Sequence, residues 1–444
     1  MTLALTESRL ALSAALDLGL QQQDLLLAES EFSPKLVISG ETDRSVAEVR
    51  TNAATVSGVS SLKLASGAQL SLSLNQSADR VSGARSSRAL VTALRLVQPL
   101  LKGNASVGML GLEGARLSTA IGQLQYDRLL SDIIVNVVLA YFDASQASGQ
   151  VELAQQALER VREIQSVNTA LYRAGRLAQQ DLLQFEVDIA QGELNLAQEQ
   201  NTSEQAKRNL LRLLGPVGVQ AQAQSLRLAD VPAPTAAATL NESELLAVAF
   251  ASREDIKVSE LALKLANFGL RRADNDLLPQ LDLVATSEKT TSSPATDVAT
   301  RTKPNYSAGL VFNIPIPDTA SQVARNRARA DVQKAQWALQ DLRLDVRNQV
   351  SSSVRDLRFA QSQLLLAARS LDLSQKRLAN ELEKLKAGRT STFQLSAAQD
   401  SLRQAQVAWG AAQLAVPRAQ LQLHRVTAQV HAQWNPNNQE QLSR

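Results

Sequence analysis

The chain carries two histidines, His424 and His431, and no cysteine. Seven residues apart, the pair would share a face if one helix held both, and imidazoles so placed can grip zinc. A zinc site needs three or four ligands, however, and no carboxylate stands beside this pair, so solvated surface is the plainer expectation. Without cysteine there is no thiolate nucleophile, no Cys-ligated metal and no sulfur for an N-terminal lipid anchor in the sequence as read. No glycine loop of phosphate-binding type and no nucleophile motif appears. The residues predict no catalytic site, no metal site and no cofactor.

Charge adds little chemistry. Basic residues number 46 and acidic residues 43, spread along the chain, and this near balance gives no reason to expect nucleic acid as a partner. Aromatic residues make up only 3% of a chain that is 44% hydrophobic, so a large aromatic-rich globular core is not expected. Ala, Leu and Gln with interspersed charge suit long helices packed in thin layers. No apolar run approaches the ~20 residues of a membrane-spanning helix. Met1 to Leu20 lacks the basic, apolar and small-residue regions of a secretory signal. Read alone, that start suits a cytosolic chain; the alternative is an export signal already removed.

The elements that would position any site come in two copies. Ser33-Pro34-Lys35-Leu36 opens an alternating segment, as does Leu278-Pro279-Gln280-Leu281. Val97-Gln98-Pro99-Leu100 closes one ahead of a long helical run, and Asn313-Ile314-Pro315-Ile316 does the same. Ala174-Gly175-Arg176 matches Ala387-Gly388-Arg389 inside those runs. Each copy reads helix, strands, very long helix, glycine break, long helix. The first spans residues 1–214, with strands at about 35–97 and a helical hairpin over 105–214. A linker covers 215–240. The second copy spans 241–430, with strands at about 280–314 and a hairpin over 321–430, and a tail follows at 431–444.

Period-two alternation marks the strands. Tyr306, Ala308, Leu310, Phe312 and Ile314 fall on one face, and Ser307, Gly309, Val311 and Asn313 on the other. Leu70, Leu72 and Leu74 alternate with Ser and Asn. A soluble half-buried sheet fits this pattern, and so does a transmembrane barrel of ~9–11-residue strands. Polar segments at 75–88 and 286–305 read as loops. A further candidate strand lies near Ser61 to Ala65, able to pair with 69–74 through Ser66-Gly67.

No proline occurs from Ala105 to Leu214. One helix over 105–173 would run ~100 Å. In the second copy Val350, Leu357, Leu364, Leu371, Leu378 and Leu385 form a heptad stripe, the mark of a coiled-coil seam. The matching positions in the first copy are Val137, Ala144, Val151, Leu158, Gln165 and Tyr172. Gly175 and Gly388 suit turns at helix C-termini, which would fold each pair of helices into an antiparallel hairpin.

Asn241-Glu242-Ser243-Glu244 has capping-box spacing and opens a helix. Leu245-Leu246-Ala247-Val248-Ala249 follows, then Ser252-Arg253-Glu254-Asp255-Ile256. This run, with Leu278-Pro279-Gln280-Leu281 and Gln98-Pro99-Leu100-Leu101-Lys102-Gly103, resembles the TolC-like outer-membrane factor family over nearly the whole chain. The resemblance implies a mainly α fold with β: long antiparallel helical hairpins forming a periplasmic tunnel, and strands of a trimeric 12-stranded outer-membrane β-barrel, four from each chain. It implies the outer membrane and periplasm as location, and the exit duct of a tripartite efflux pump or type I secretion system as function. Implied partners are two further copies, outer-membrane lipid, a periplasmic adaptor and an inner-membrane pump. Residues 215–238 and 426–444 would belt the tunnel. Ala174, Gly175, Arg176, Ala387, Gly388 and Arg389 would be the periplasmic tips where the adaptor docks. Asp181 suits an acidic pore constriction; its counterpart Gln394 departs from that pattern. Tyr306, Leu310 and Phe312 would face lipid. The rival reading is a soluble or periplasmic coiled-coil scaffold or adaptor.

Overall fold

The structure is a computed structural model of the 444-residue chain, and it describes residues 2–46, 50–81, 86–173, 179–220, 226, 228–229, 241–293, 299–387 and 389–431. Helices α1 (Thr2–Glu7) and α2 (Arg9–Ser30) lead into four strands, β1 (Lys35–Val46), β2 (Arg50–Lys63), β3 (Gln69–Val81) and β4 (Ser87–Pro99). Then come α3 (Ala105–Gly108), α4 (Leu110–Arg173), α5 (Gln179–Leu213) and α6 (Pro216–Gln220). The second half repeats the scheme with α7 (Glu242–Ser252), α8 (Glu254–Asp276), β5 (Gln280–Ser293), β6 (Arg301–Asn313), α9 (Thr319–Lys386) and α10 (Thr392–Val426).

The described residues form two compact units, each drawing on both halves of the sequence. One unit holds residues 16–124 and 257–340, and so contains every strand. Its sheet runs β1-β2-β3-β4-β5-β6, antiparallel throughout. Six strands therefore stand where the family resemblance implied four. The candidate strand near Ser61 is the end of β2, and Lys63 pairs with Gln69 across a turn at 64–68. Much of 75–88 and 286–305 is strand as well. Their polar residues obscure the apolar alternation, but the backbone ladder continues as far as the Asp79–Ser87 and Ser292–Arg301 pairs.

The other unit, residues 1–15, 125–256 and 341–444, is helical. At ~1.5 Å per residue, the 64 residues of α4 and the 68 of α9 each make a rod of about 100 Å. Asn104 caps α3 by accepting from Ser106 N–H, and Met109 separates α3 from α4, so the first long helix begins at Leu110. Rods this long survive because packing, not propensity, holds them. Val350, Leu357 and Leu378 of the α9 stripe are buried, and the stripe positions between them are half-buried. Towards the hairpin end, Leu378 packs with Leu395, Ala398 and Leu402 of α10 and Ile164 of α4. Further along, Ile133, Val137, Ala140 and Ala144 of α4 close over Ala4, Ala11 and Leu210. Ile134, Val138 and Phe142 meet Leu414 and Leu421 of α10. One stretch of the helix over 105–167 is long and apolar enough to cross a membrane by composition, unlike the expectation from the sequence; nearly half of it is buried in this packing.

His424 lies on α10, but the helix ends at Val426, and Ala428 turns the chain with φ 55° before His431. The two histidines therefore do not share a helix face. Burial pushes the His424 imidazole below its usual range. His431 Nε2 lies 3.3 Å from the Asp127 carbonyl. Among the described residues no cluster of three His, Asp or Glu side chains is placed to hold a metal.

Candidate functional site

Four features stand out: the sheet, the junction beneath it, the Arg253–Asp255 element of the helical unit, and the ends of the helical hairpins. In the sheet, antiparallel register sorts side chains by face. One row crosses all six strands as Leu36, Ser60, Leu72, Leu94, Ser287 and Tyr306. Neighbouring rows on that face add Ile38, Leu70, Leu74, Leu96, Leu283 and Leu310. The opposite face carries Ser39, Ser57, Asn75, Arg95, Asp282 and Glu288. Tyr306, Leu310 and Phe312 all fall on the apolar face and are exposed.

Exposure separates the two readings left open by the alternation. A soluble half-buried sheet shelters its leucines and exposes its serines. Here Leu72 and Leu74 of β3 are exposed while Ser71, Ser73 and Asn75 are sheltered. In β5, Leu283 is exposed and Asp282 buried. An apolar face turned outward and a polar face turned inward is the arrangement of a strand wall in lipid around water. No strand pairs with the outer edge of β1 or of β6 among the described residues.

Beneath the sheet, Gln98-Pro99-Leu100-Leu101-Lys102-Gly103 hands β4 over to the helices. Asn275, buried at the end of α8, accepts from Gly103 N–H at 2.7 Å and donates to the Leu101 carbonyl at 3.4 Å. Lys102 Nζ reaches the Asp276 carbonyl at 3.1 Å. Leu100 N–H continues the ladder to Leu281.

Within the helical unit, the Arg253-Glu254-Asp255 element has a defined task. Asn241 caps α7 by accepting from Ser243 N–H, while Glu244 accepts from the Asn241 amide. Arg253 ends α7 and grips Asp255 in a bidentate pair, at 2.9 and 2.6 Å. Its remaining nitrogen donates to Gln349 of α9 at 2.9 Å and to the Val426 carbonyl at the end of α10 at 3.1 Å. A cation at a helix C-terminus is stabilised by the helix dipole. Burial pulls Asp255 upward, but the Arg253 hydrogen bonds and charge, with Arg128 beyond, outweigh it and hold the carboxyl below its usual range. One motif thus ties four helices together.

At the hairpin ends, Ala174, Gly175, Arg176 and Gly388 lie outside the described residues. Asp181 sits in the first turns of α5, with its side chain outside the description. Ala387 and Arg389 are exposed, and Arg389 N–H donates to the Lys384 carbonyl at 2.8 Å, a bond that closes a helix end across position 388. Ser391 caps α10. The Thr390 hydroxyl lies 2.8 Å from the Glu381 carboxylate and 2.6 Å from the Gln394 amide. Hydrogen bonds from Lys384 and Thr390 hold Glu381 below the usual carboxylate range. So Gln394 belongs to a polar network whose acidic member is Glu381, a residue that the internal repeat alone does not single out. Phe393, 81% exposed beside this cap, was also missed; an aromatic shortly after the glycine break was its only signal. Along α9 a second heptad stripe, Phe359, Leu366 and Leu373, is exposed opposite the buried one.

Residues 245–429 match the family model described as outer membrane efflux protein. The chain is similar to Protein CyaE of Bordetella pertussis, with 28% identity over 352 residues, covering 77% of this chain and 72% of that protein. Its fold resembles the outer membrane protein VceC of Vibrio cholerae, at TM-score 0.73 and 15% identity over 96% of this chain and 94% of that one. It also resembles the CmeC outer membrane channel of Campylobacter jejuni, at TM-score 0.69 and 15% identity over 99% and 87%.

Proposed function

We propose, from the match of residues 245–429 to the outer membrane efflux protein family model, that the chain belongs to that family and is the exit-duct subunit of a tripartite export machine. It sits in the outer membrane, extends into the periplasm, and passes cargo without chemistry of its own. Three copies join in a ring. The sheet contributes to a shared barrel in the membrane, and the paired long helices contribute to a shared tunnel in the periplasm. A periplasmic adaptor docks at the hairpin tips and links the duct to an inner-membrane pump, of efflux or type I secretion kind.

The observation that carries this reading is the sheet: in β3 Leu72 and Leu74 are exposed and Ser71 and Ser73 sheltered, in β5 Leu283 is exposed beside buried Asp282, and both edges of the sheet are unpaired among the described residues. Lipid tolerates neither an open edge nor unpaired backbone groups, so the wall requires further copies to close it. The exposed Phe359–Leu366–Leu373 stripe supports the same conclusion for the helices, because a helix within a ring of helices needs a seam on each side. At the tips, Arg176 and Arg389 would offer donors to an adaptor hairpin, Phe393 an apolar anchor, and Asp181 and Gln394 would stand at the constriction. The mass of the detergent-extracted protein tests the assembly. Three times 47.9 kDa is expected; a stable folded monomer would sink the ring.

A further inference from the structure

We infer that the ring closes as an eighteen-stranded barrel, six strands from each chain, with β1 of one copy paired to β6 of the next. The inference rests on the trimeric duct proposed above and fixes the width of its exit. The two halves of the sequence are unequal in one place. Pro34 and Pro99 are 65 residues apart, whereas the matching Pro279 and Pro315 are 36 apart. The excess of 29 residues is the length of one more hairpin, and the first half indeed has four strands where the second has two.

The added hairpin is built as wall. All six strands have 12 to 14 residues, more than the ~9–11 that a tilted strand needs to cross a bilayer. β2 pairs with β3 from Thr51–Val81 to Lys63–Gln69 without a break. Four of the hairpin's apolar residues, Leu36, Ile38, Val56 and Leu62, share a face with Leu72, Leu94 and Tyr306, while Val37 and Val59 pair on the other face.

The turn between β2 and β3 is also locked to the junction below. Gly67 has φ +83°, and a Cβ there would lie 2.2 Å from the Gly103 carbonyl oxygen. A Cβ on Gly108 would meet the Ala65 carbonyl at 2.8 Å. Gln98 donates to the Ser66 carbonyl at 3.3 Å and accepts from its hydroxyl at 3.2 Å. A hairpin that peeled away to leave β3 as the edge would break all of this.

Width follows from geometry. With strands ~4.8 Å apart and tilted by ~40°, eighteen strands enclose a backbone diameter of roughly 36 Å, against roughly 24 Å for twelve. Barrels of sixteen to eighteen strands leave an open aqueous channel. The exit in the membrane then has room for a bulky hydrated cargo, and selection falls to the tunnel and its tips.

The chain's lack of cysteine makes the test direct. Tyr306→Cys is combined in turn with Leu36→Cys, Ile38→Cys or Gly40→Cys on β1, and with Leu70→Cys, Leu72→Cys or Leu74→Cys on β3. Neither β1 nor β3 neighbours β6 within one chain, so any disulfide joins two chains. One β1 pair should crosslink at least tenfold more than every β3 pair. Crosslinks to β3 instead would overturn the eighteen-stranded barrel while leaving the trimer intact. A detergent mass of one chain, with no crosslink, would instead remove the duct reading itself. Strand counting in an electron cryomicroscopy map of the unmodified trimer is an independent test: eighteen upholds the inference and twelve overturns it.

Discussion

Leu94 and Ala93 are neighbours on the central strand β4 and point to opposite faces of the sheet. Leu94 stands between Leu72 and Ser287 on the apolar face, 46% exposed, while Ala93 stands between Ser73 and Glu288 on the polar face. Both lie near the middle of β4, which in the proposed membrane wall would be near the bilayer midplane. An arginine at Leu94 would project into hydrocarbon at a cost of about 2–4 kcal/mol per chain, or roughly 6–12 kcal/mol for a trimer. An arginine at Ala93 would enter water opposite the Glu288 carboxylate, on the face that already carries Arg95. The expected change there is within about 0.5 kcal/mol. Because backbone position and strand are matched, the difference isolates the face. Folding into lipid vesicles, followed by urea titration and by trimer retention on unheated gels, reads it out. Leu94→Arg should abolish or severely weaken the trimer, and Ala93→Arg should leave it intact. Equal tolerance of the two would mean that water wets the apolar face, and the membrane wall would be refuted.

Asp255→Asn should destabilise the helical unit by roughly 2–3 kcal/mol, because it leaves the poorly exposed Arg253 without its carboxylate. Since the folded-state pKa of Asp255 lies below its ordinary value of 3.8, its contribution is full above that value and is lost as pH falls through the depressed one. Thermal melts should therefore show wild type and variant converging in acid; a constant gap down to the lowest pH would contradict the pairing. At the tips, Arg176→Glu combined with Arg389→Glu should leave trimer yield and stability within about 0.5 kcal/mol of wild type. The same double variant should lose adaptor crosslinking and export, and normal export would remove the docking role.

The helices were legible because their signal is local and repeated. The heptad stripe from Val350 to Leu385 needs only the sequence, and the structure shelters it. The proline-marked strand boundaries and the places where the long helices end and resume were legible for the same reason. The added hairpin was less so. Gly40 and Gly58 interrupt the alternation of β1 and β2, and Asp43, Arg44 and Asn52 make their outer ends read as loop. Only cross-strand register gathers Leu36 and Ile38 into the rows of Leu72 and Leu94. The Arg253–Asp255 pair was visible as a motif, but its reach to Gln349 and Val426 spans about a hundred residues or more. Glu381 likewise gains its place at the tip through Thr390, on the far side of the glycine break.

A duct that crosses the outer membrane from periplasm to exterior must show a different side of itself to each compartment, and single-cysteine labelling in intact cells reads this out. Thr300 lies just before β6 at the end of the sheet away from the helices, and Gln200 is exposed midway along α5. With a membrane-impermeant maleimide, Thr300→Cys should label on intact cells. Gln200→Cys should label only after the outer membrane is permeabilised, with the inner membrane still sealed. Protection of both sites until the cytoplasm is opened, or labelling of both on intact cells, would contradict a duct that spans the outer membrane.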